Sequence, residues 1–309
     1  MFQHIAVLGA GVMGHGIAQL FAQAKKDVQL YDMYPSSLEK AKKSIKNSIS
    51  MLIEKGLLTK EEGEQSLNRI HFTTELPTAL KQAELIIEAI PEVIEMKWEM
   101  YQKIEELVGS EVIIASNTSA FPLTLLHEHS KYPERFIIMH FFNPAQLVPL
   151  VEIVKVDVTN EQIVNAIEKL MFEVGKSPVV LQKEVPGFIA NRLQFAVIRE
   201  ALWLFENNVA SAEDIDIAMK ESLGFRYAFI GPLESMDFGG LDTMDYICNN
   251  LLPKLSDVKE TPHALQTLVE KGKLGVKTGE GFYTYDGEKA VEKIKKRDDL
   301  FVELLKLKS

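Results

Sequence analysis

Ile5-Ala6-Val7-Leu8-Gly9-Ala10-Gly11-Val12-Met13-Gly14 is the stretch whose reading decides the fold. Four apolar residues read as a buried strand, three spaced glycines as a turn, and His15 to Ala24 as a helix. Val28-Gln29-Leu30-Tyr31 then reads as a second strand ending at Asp32, 18 residues after Gly14. Each glycine has a physical task in such a unit. Gly9 permits the tight turn, Gly11 lets the backbone approach a pyrophosphate, and Gly14 lets the helix lie close to the strand. Unpaired N–H groups at the helix start, on Gly11, Val12, Met13 and Gly14, favour an anion. The pattern predicts dinucleotide binding. A carboxylate at Asp32 accepts hydrogen bonds from a ribose 2′-hydroxyl and repels a 2′-phosphate. Met33 and Tyr34 follow, so no adjacent arginine receives such a phosphate, and NAD is favoured over NADP. The plainer reading of Asp32 is a surface residue opening a turn.

The 309 residues suggest two domains, and 46% hydrophobic against 25% charged residues supplies a sizeable core. A net charge of −10 argues against nucleic-acid binding, because no basic stripe neutralises phosphates. Cys248 is the one cysteine, so no intrachain disulfide forms, and no metal-type cysteine spacing exists. A reducing cytoplasm is the simplest compartment. Met1-Phe2-Gln3-His4 shows no basic leader, and no run of about 18 apolar residues predicts a membrane span.

Apolar residues at Leu38, Ala41, Ile45, Ile49, Leu52 and Ile53 predict an amphipathic helix from Ser36 towards Gly56. Its lysines Lys40, Lys42, Lys43 and Lys46 read either as a solvated face or as a local anion site. Thr59-Lys60-Glu61-Glu62 reads as a capping box. Ile70-His71-Phe72, Leu85-Ile86-Ile87 and Val112-Ile113-Ile114-Ala115 read as further strands. Ligands collect beyond the carboxyl ends of parallel strands. Glu92, Asn117 and Ser119 fall just past such ends, either as ligand contacts or as ordinary loop residues.

Two residues stand out among apolar neighbours. His140 follows Phe136-Ile137-Ile138-Met139, and Glu152 lies between Val151 and Ile153. An unpaired carboxylate in such a strand costs several kcal/mol. Either its face is wet or it has a partner, and His140 is an available one across the short Asn143-Pro144 turn. A carboxylate accepting from one ring nitrogen fixes the tautomer and leaves the other nitrogen free to take a proton. An alcohol dehydrogenase needs such a base as hydride leaves carbon. The alternative is a structural histidine.

Ser116-Asn117-Thr118-Ser119, His140-Phe141-Phe142-Asn143-Pro144, Glu152 and Val185-Pro186-Gly187-Phe188-Ile189-Ala190-Asn191-Arg192 together resemble the NAD-dependent L-3-hydroxyacyl-CoA dehydrogenases over nearly the whole chain. The resemblance implies fatty acid metabolism, with His140 as base and Glu152 as its orienting partner. It implies that Ser119 and Asn191 hold the substrate hydroxyl or thioester carbonyl. It places Glu92, Lys97 and Lys277 on the cofactor side, and Asn117 and Asn143 near the nicotinamide. Departures accompany it. After Asn143-Pro144 the chain reads Ala145-Gln146-Leu147-Val148-Pro149-Leu150-Val151-Glu152, without the lysine of the acyl-CoA pattern Asn-Pro-Val-Pro-Val-Met-Lys-Leu-Val-Glu. Gly224 to Glu234 looks more like relatives that oxidise free hydroxy acids, such as L-gulonate 3-dehydrogenase (lambda-crystallin) and carnitine dehydrogenase. There Arg226 would pair with a substrate carboxylate, or else form a structural ion pair. The chain also continues from Tyr285 to Ser309, further than a short acyl-CoA member needs.

From Phe188 to Phe205 apolar residues lie on every side of a helical pattern, including Leu193, Phe195, Val197, Leu202, Trp203 and Leu204. A helix of that kind predicts burial on several faces, in a homodimer interface or in an intrachain core. Ser211 reads as a helix start, and residues 289–307 as a charged amphipathic helix of unassigned role. The expected architecture is α/β: a Rossmann-type, doubly wound and mostly parallel sheet in residues 1–185, then an all-α domain in 186–309. The expected activity is NAD-dependent oxidation of an L-3-hydroxyacyl-CoA, with no metal, no nucleic acid and no membrane partner. The alternatives are a free 3-hydroxy acid as substrate, or a non-catalytic NAD-binding protein.

Overall fold

The apolar run at 5–8 forms most of β1 (His4–Leu8). The computed structural model describes residues 2–285 and 287–308; Met1, on which the leaderless reading begins, lies outside the described residues, with Asp286 and Ser309. Seven strands follow: β2 (Asp27–Tyr31), β3 (Ile70–Thr73), β4 (Leu85–Glu88), β5 (Ile113–Ser116), β6 (Phe136–Phe141), β7 (Leu150–Val154) and β8 (Ser177–Leu181). They form one sheet in the order β3-β2-β1-β4-β5-β6-β7-β8. The first six are parallel, β7 runs antiparallel to β6, and β8 is parallel to β7. The order reverses between β1 and β4, which is where a doubly wound sheet opens a crevice.

Parity along the strands explains their continuous apolar sequence. Ile5 and Val7 join the core on one face, with Ile137, Met139, Phe141, Val151 and Ile153. Ala6 and Leu8 join the core on the other, with Phe136, Ile138, Val154 and Phe188. His140 and Glu152 share the parity of this second face and stand directly opposite each other in the β6–β7 register.

The glycine turn leads into α1 (Gly14–Gln23). Gly9 has φ 100°, and a Cβ there would lie 2.5 Å from the Ala89 carbonyl oxygen after β4. A Cβ on Gly14 would lie 1.7 Å from the Gly9 carbonyl oxygen, so the close approach is of the helix to the turn. Over Gly11 nothing stands within 4 Å of the corresponding position. The predicted amphipathic helix is α2 (Pro35–Glu54), burying Leu38, Ala41, Ile45, Ile49 and Leu52. Its lysines Lys40, Lys42, Lys43 and Lys46 are exposed. The Thr59 capping box is present at the start of α3 (Lys60–Asn68).

The chain divides into two compact units, Met1–Ala190 with Asp299–Ser309, and Asn191–Asp298. This differs from a boundary after residue 185. Backbone N–H groups at 189 and 190 are bonded into the first unit, and the last turns of the tail helix Gly287–Lys308 pack there too. The second unit is helical, from Ala190–Glu206 to His263–Glu270, with Ser211 capping the helix Ala212–Ala218. Leu202 is its only buried side chain among the described residues. On the helix Ala190–Glu206, Leu193, Phe195, Val197 and Trp203 are exposed. No helix among the described residues is long and apolar enough to cross a membrane.

Gly14→Ala is expected to push α1 off the turn, weakening NADH binding by roughly tenfold or more. Fluorescence titration of NADH checks this, and an unchanged dissociation constant contradicts the tight helix–turn contact.

Candidate active site

A dinucleotide cradle is built from the turn and the end of β2. Asp32 Oδ2 accepts the Ala10 N–H at 2.9 Å and Oδ1 accepts the Tyr34 N–H at 2.9 Å. The carboxylate therefore ties the glycine turn to the segment after β2, half-exposed beside exposed Met33 and Tyr34. With open space over Gly11 and the start of α1 behind it, these residues fit a dinucleotide: a pyrophosphate on the turn, a ribose diol on Asp32.

Three strands along the sheet from β1, His140 and Glu152 stand paired on β6 and β7. His140 Nδ1 lies 2.8 Å from Glu152 Oε2. Glu152 is fully buried, and its Oε1 accepts the N–H groups of Ile189 and Ala190, each at 2.8 Å. Burial by itself raises the carboxyl; the bond to His140 and the two backbone donors overcome it and hold Glu152 below the ordinary carboxylate range. An ionised carboxylate can only accept, so Nδ1 carries a proton, and in the neutral imidazole Nε2 then presents a lone pair. No protein group bonds Nε2 among the described residues. Phe142 and Phe188 flank the ring, with centroids at 4.5 and 5.3 Å.

A third group of residues lies at the ends of β4 and β5. Glu88, fully buried, accepts from Lys97 Nζ at 2.7 Å, Tyr101 Oη at 2.6 Å, Ser116 Oγ at 2.7 Å and the Ile90 N–H at 2.9 Å. Lys97 Nζ also lies 3.1 Å from Glu92 Oε2. Glu92 Oε1 accepts from the Thr118 hydroxyl and from the N–H groups of Ser119 and Ala120. Desolvation opposes its charge, but these donors and Lys97 keep the carboxyl below its ordinary value. Asn117 Oδ1 accepts the Phe141 N–H at 3.0 Å, joining the end of β5 to the strand of His140.

Comparison with known proteins identifies the family. Residues 4–185 match the NAD binding domain of 3-hydroxyacyl-CoA dehydrogenase, and residues 187–285 match its C-terminal domain. The chain belongs to the 3-hydroxyacyl-CoA dehydrogenase family. A probable 3-hydroxybutyryl-CoA dehydrogenase of Deinococcus radiodurans is 40% identical, over 90% of this chain and 99% of its own. The 5-formyl-3-hydroxy-2-methylpyridine 4-carboxylate 5-dehydrogenase of Mesorhizobium japonicum is 34% identical, over 93% of this chain and 92% of its own. A crystal structure of a dehydrogenase of that pyridine carboxylic acid superposes with a TM-score of 0.93 at 33% identity, covering 99% of this chain and 98% of that one. Members of the family are NAD-dependent oxidoreductases, and the cofactor is NAD.

Within this family member the first unit brings together Gly9, Gly11, Val12, Met13, Gly14 and Asp32 as one group. His140, Glu152 and Asn117 are linked by bonds in a second group, and Glu92, Lys97 and Ser119 in a third. The Lys97 amine is enclosed between two carboxylates and only 1% exposed. Asn143 is exposed at the turn after β6, before a cis bond to Pro144. Asn191, Arg226 and Lys277 belong to the second unit. Asn191 directly follows Ala190, whose N–H Glu152 holds. Arg226 is exposed with no acid paired to it among the described residues, so the structural ion pair weighed for it does not form within those residues. Lys277 is exposed in the turns after His263–Glu270.

Sequence reasoning passed over Glu88, though it closes the apolar run Leu85-Ile86-Ile87 as His140 closes its own. It also passed over Lys176, which is buried and bonded only to backbone carbonyls.

The depressed Glu152 carboxyl has a pH consequence. Its contribution to stability is present above the ordinary value of 4.5 and is lost as pH falls through the lower folded value. Glu152→Gln is expected to lose about 1–3 kcal/mol at neutral pH. It should also show a shallower loss of stability than the parent on acidification towards pH ~3. Urea unfolding across that range checks it; parallel curves contradict the assignment.

Proposed function

We propose that this dehydrogenase oxidises the 3-hydroxyl of an L-3-hydroxyacyl-CoA, such as 3-hydroxybutyryl-CoA, to the 3-ketone, with His140 as general base. The bond from His140 to the buried, ionised Glu152 carries the reading. Bound NAD supplies the acceptor for the hydride that leaves C3. His140 Nε2 takes the hydroxyl proton, and the imidazolium so formed is stabilised 2.8 Å away by the Glu152 carboxylate. Phe142 and Phe188 limit water around the ring. Ser119 and Asn191 orient the hydroxyl or the acyl carbonyl, and the backbone of Ser119 is steadied by Glu92. Asn117 and Asn143 serve the nicotinamide end, with Lys277 on the cofactor side. Cys248, left free, suits a reducing cytoplasm.

A free small carboxylate is the second reading. Arg226, exposed and without an acid partner among the described residues, suits a carboxylate. Pro149 stands where the acyl-CoA pattern has lysine. One relative is named for a pyridine 4-carboxylate. Comparing turnover of 3-hydroxybutyryl-CoA with that of L-gulonate and L-carnitine decides between the two; preference for either free acid overturns the acyl-CoA reading.

The second unit also supports a homodimer. A helical unit with one buried side chain among its described residues leaves Leu193, Phe195 and Trp203 to a second copy. Light scattering is expected to give twice the 34.8 kDa chain mass; the chain mass itself contradicts this.

His140→Gln is expected to keep NADH binding and to lose kcat by about 10²–10⁴-fold. A near-normal kcat removes His140 as the base.

A further inference from the structure

Two stretches far apart in the chain meet in the first unit. One is the segment after Asn143-Pro144, where the chain departs from the acyl-CoA sequence. The other is the tail helix Gly287–Lys308, which lies beyond the matched residues 187–285. Val302, fully buried, packs with Leu147 and Leu52, and Met51, Leu58, Phe301 and Leu305 surround them. Phe301, Val302 and Leu305, the tail residues in this cluster, have the spacing of one helix face. Lys55 Nζ, just past α2, lies 2.9 Å from Asp299 Oδ1.

The loop under Val302 is held from its other sides as well. Leu147 N–H and Val148 N–H both donate to the Pro144 carbonyl at 3.0 Å, which turns the carbonyls of Ala145 and Val148 towards one point. There Lys176 Nζ donates to them at 2.6 and 2.7 Å. Gln146 Nε2 donates to Ser48 Oγ on α2 at 3.2 Å. On the remaining side is α1: a Cβ on Gly16 would lie 2.5 Å from Gln146 Oε1 and 3.3 Å from the Ala145 Cβ. The loop is thus wedged between the helix that carries the glycine cradle, α2 and the tail. Asn143 stands at its start, and the strand of Glu152 begins at its end.

We propose that the final turns of the tail helix are a positioning element of the NAD site: through Leu147 they press the 143–148 loop against α1 and so set Asn143 and the glycine cradle. Nothing in the tail touches the reacting atoms. Deleting methyl groups at Val302 leaves space into which Leu147 moves, and the loop loses its fixed distance from α1. The inference rests on the proposed role of Asn143 and the cradle in NAD binding, and not on which hydroxy substrate is used.

The test reads NADH binding by fluorescence titration, so failure of every substrate to turn over leaves it decisive. Val302→Ala is expected to raise the NADH dissociation constant by about tenfold, the scale set by small misplacements of positioning groups. Val302→Ile, which refills the space, restores it. Val164→Ala makes the same deletion on the buried face of the helix Glu161–Glu173, outside the cluster of Val302 and Leu147, and serves as the stability control. It is expected to lower Tm comparably and leave NADH affinity unchanged. A chain ending at residue 298 should bind NADH at least as weakly as Val302→Ala; if it does not fold, the point variants decide alone. Unaltered NADH affinity in Val302→Ala overturns the proposal. So does a loss of affinity in Val164→Ala equal to that in Val302→Ala.

Discussion

Glu152 is a carboxylate with no solvent exposure, in the middle of an apolar strand. A charge in that position is tolerated only if its oxygens are bonded, because an unpaired buried ion costs several kcal/mol. Three donors meet the requirement: His140 Nδ1 on one oxygen, and the N–H groups of Ile189 and Ala190 on the other. Each donor fixes a different part of the molecule. The bond to His140 holds the β6–β7 register, because a one-residue slip would put the two side chains on opposite faces. The bonds to 189 and 190 fix where the helix Ala190–Glu206 begins, with a negative charge at its amino end. The same carboxylate leaves the outer nitrogen of His140 as the one basic atom of the pair.

Much of this was legible in the chain because the signals are local. The strand, glycine turn and acid at 5–32 describe one supersecondary unit, and steric need alone places glycine at Gly9 and Gly14. His140 and Glu152 were legible because each interrupts an apolar run, and a short antiparallel connection brings equal parity together. Glu88 carries a similar signal, an acid ending an apolar strand, and only its partners Lys97, Tyr101 and Ser116, brought in from elsewhere in the chain, give it meaning. Lys176 was not legible at all. Its partners are backbone carbonyls, which have no sequence signature. The apolar helix after Phe188 buries Leu202 and leaves Leu193, Phe195, Val197 and Trp203 exposed, a division between faces that its all-round apolar sequence does not reveal.

The departures from the acyl-CoA pattern gain a physical connection from the fold. In the sequence, Leu147 after Pro144 and Val302 in the tail lie 155 positions apart. In the folded unit Leu147 and Val302 share one apolar cluster. A changed loop and the element that covers it are what coupled packing predicts, since a close-packed interior transmits a change of a single methylene. The chemistry retained in His140 and Glu152 is separable from this remodelled support, as fold and substrate choice commonly are.

The central claim is that Glu152 holds His140 with its proton on Nδ1, so that Nε2 is the base. Nitrogen-15 NMR of the His140 ring, assigned by comparison with His140→Gln, measures this directly. The account predicts that the neutral ring carries its proton on Nδ1 and leaves Nε2 bare, with that preference lost in Glu152→Gln. A neutral ring protonated on Nε2 would contradict it, because the nitrogen meant to accept the substrate proton would already carry one.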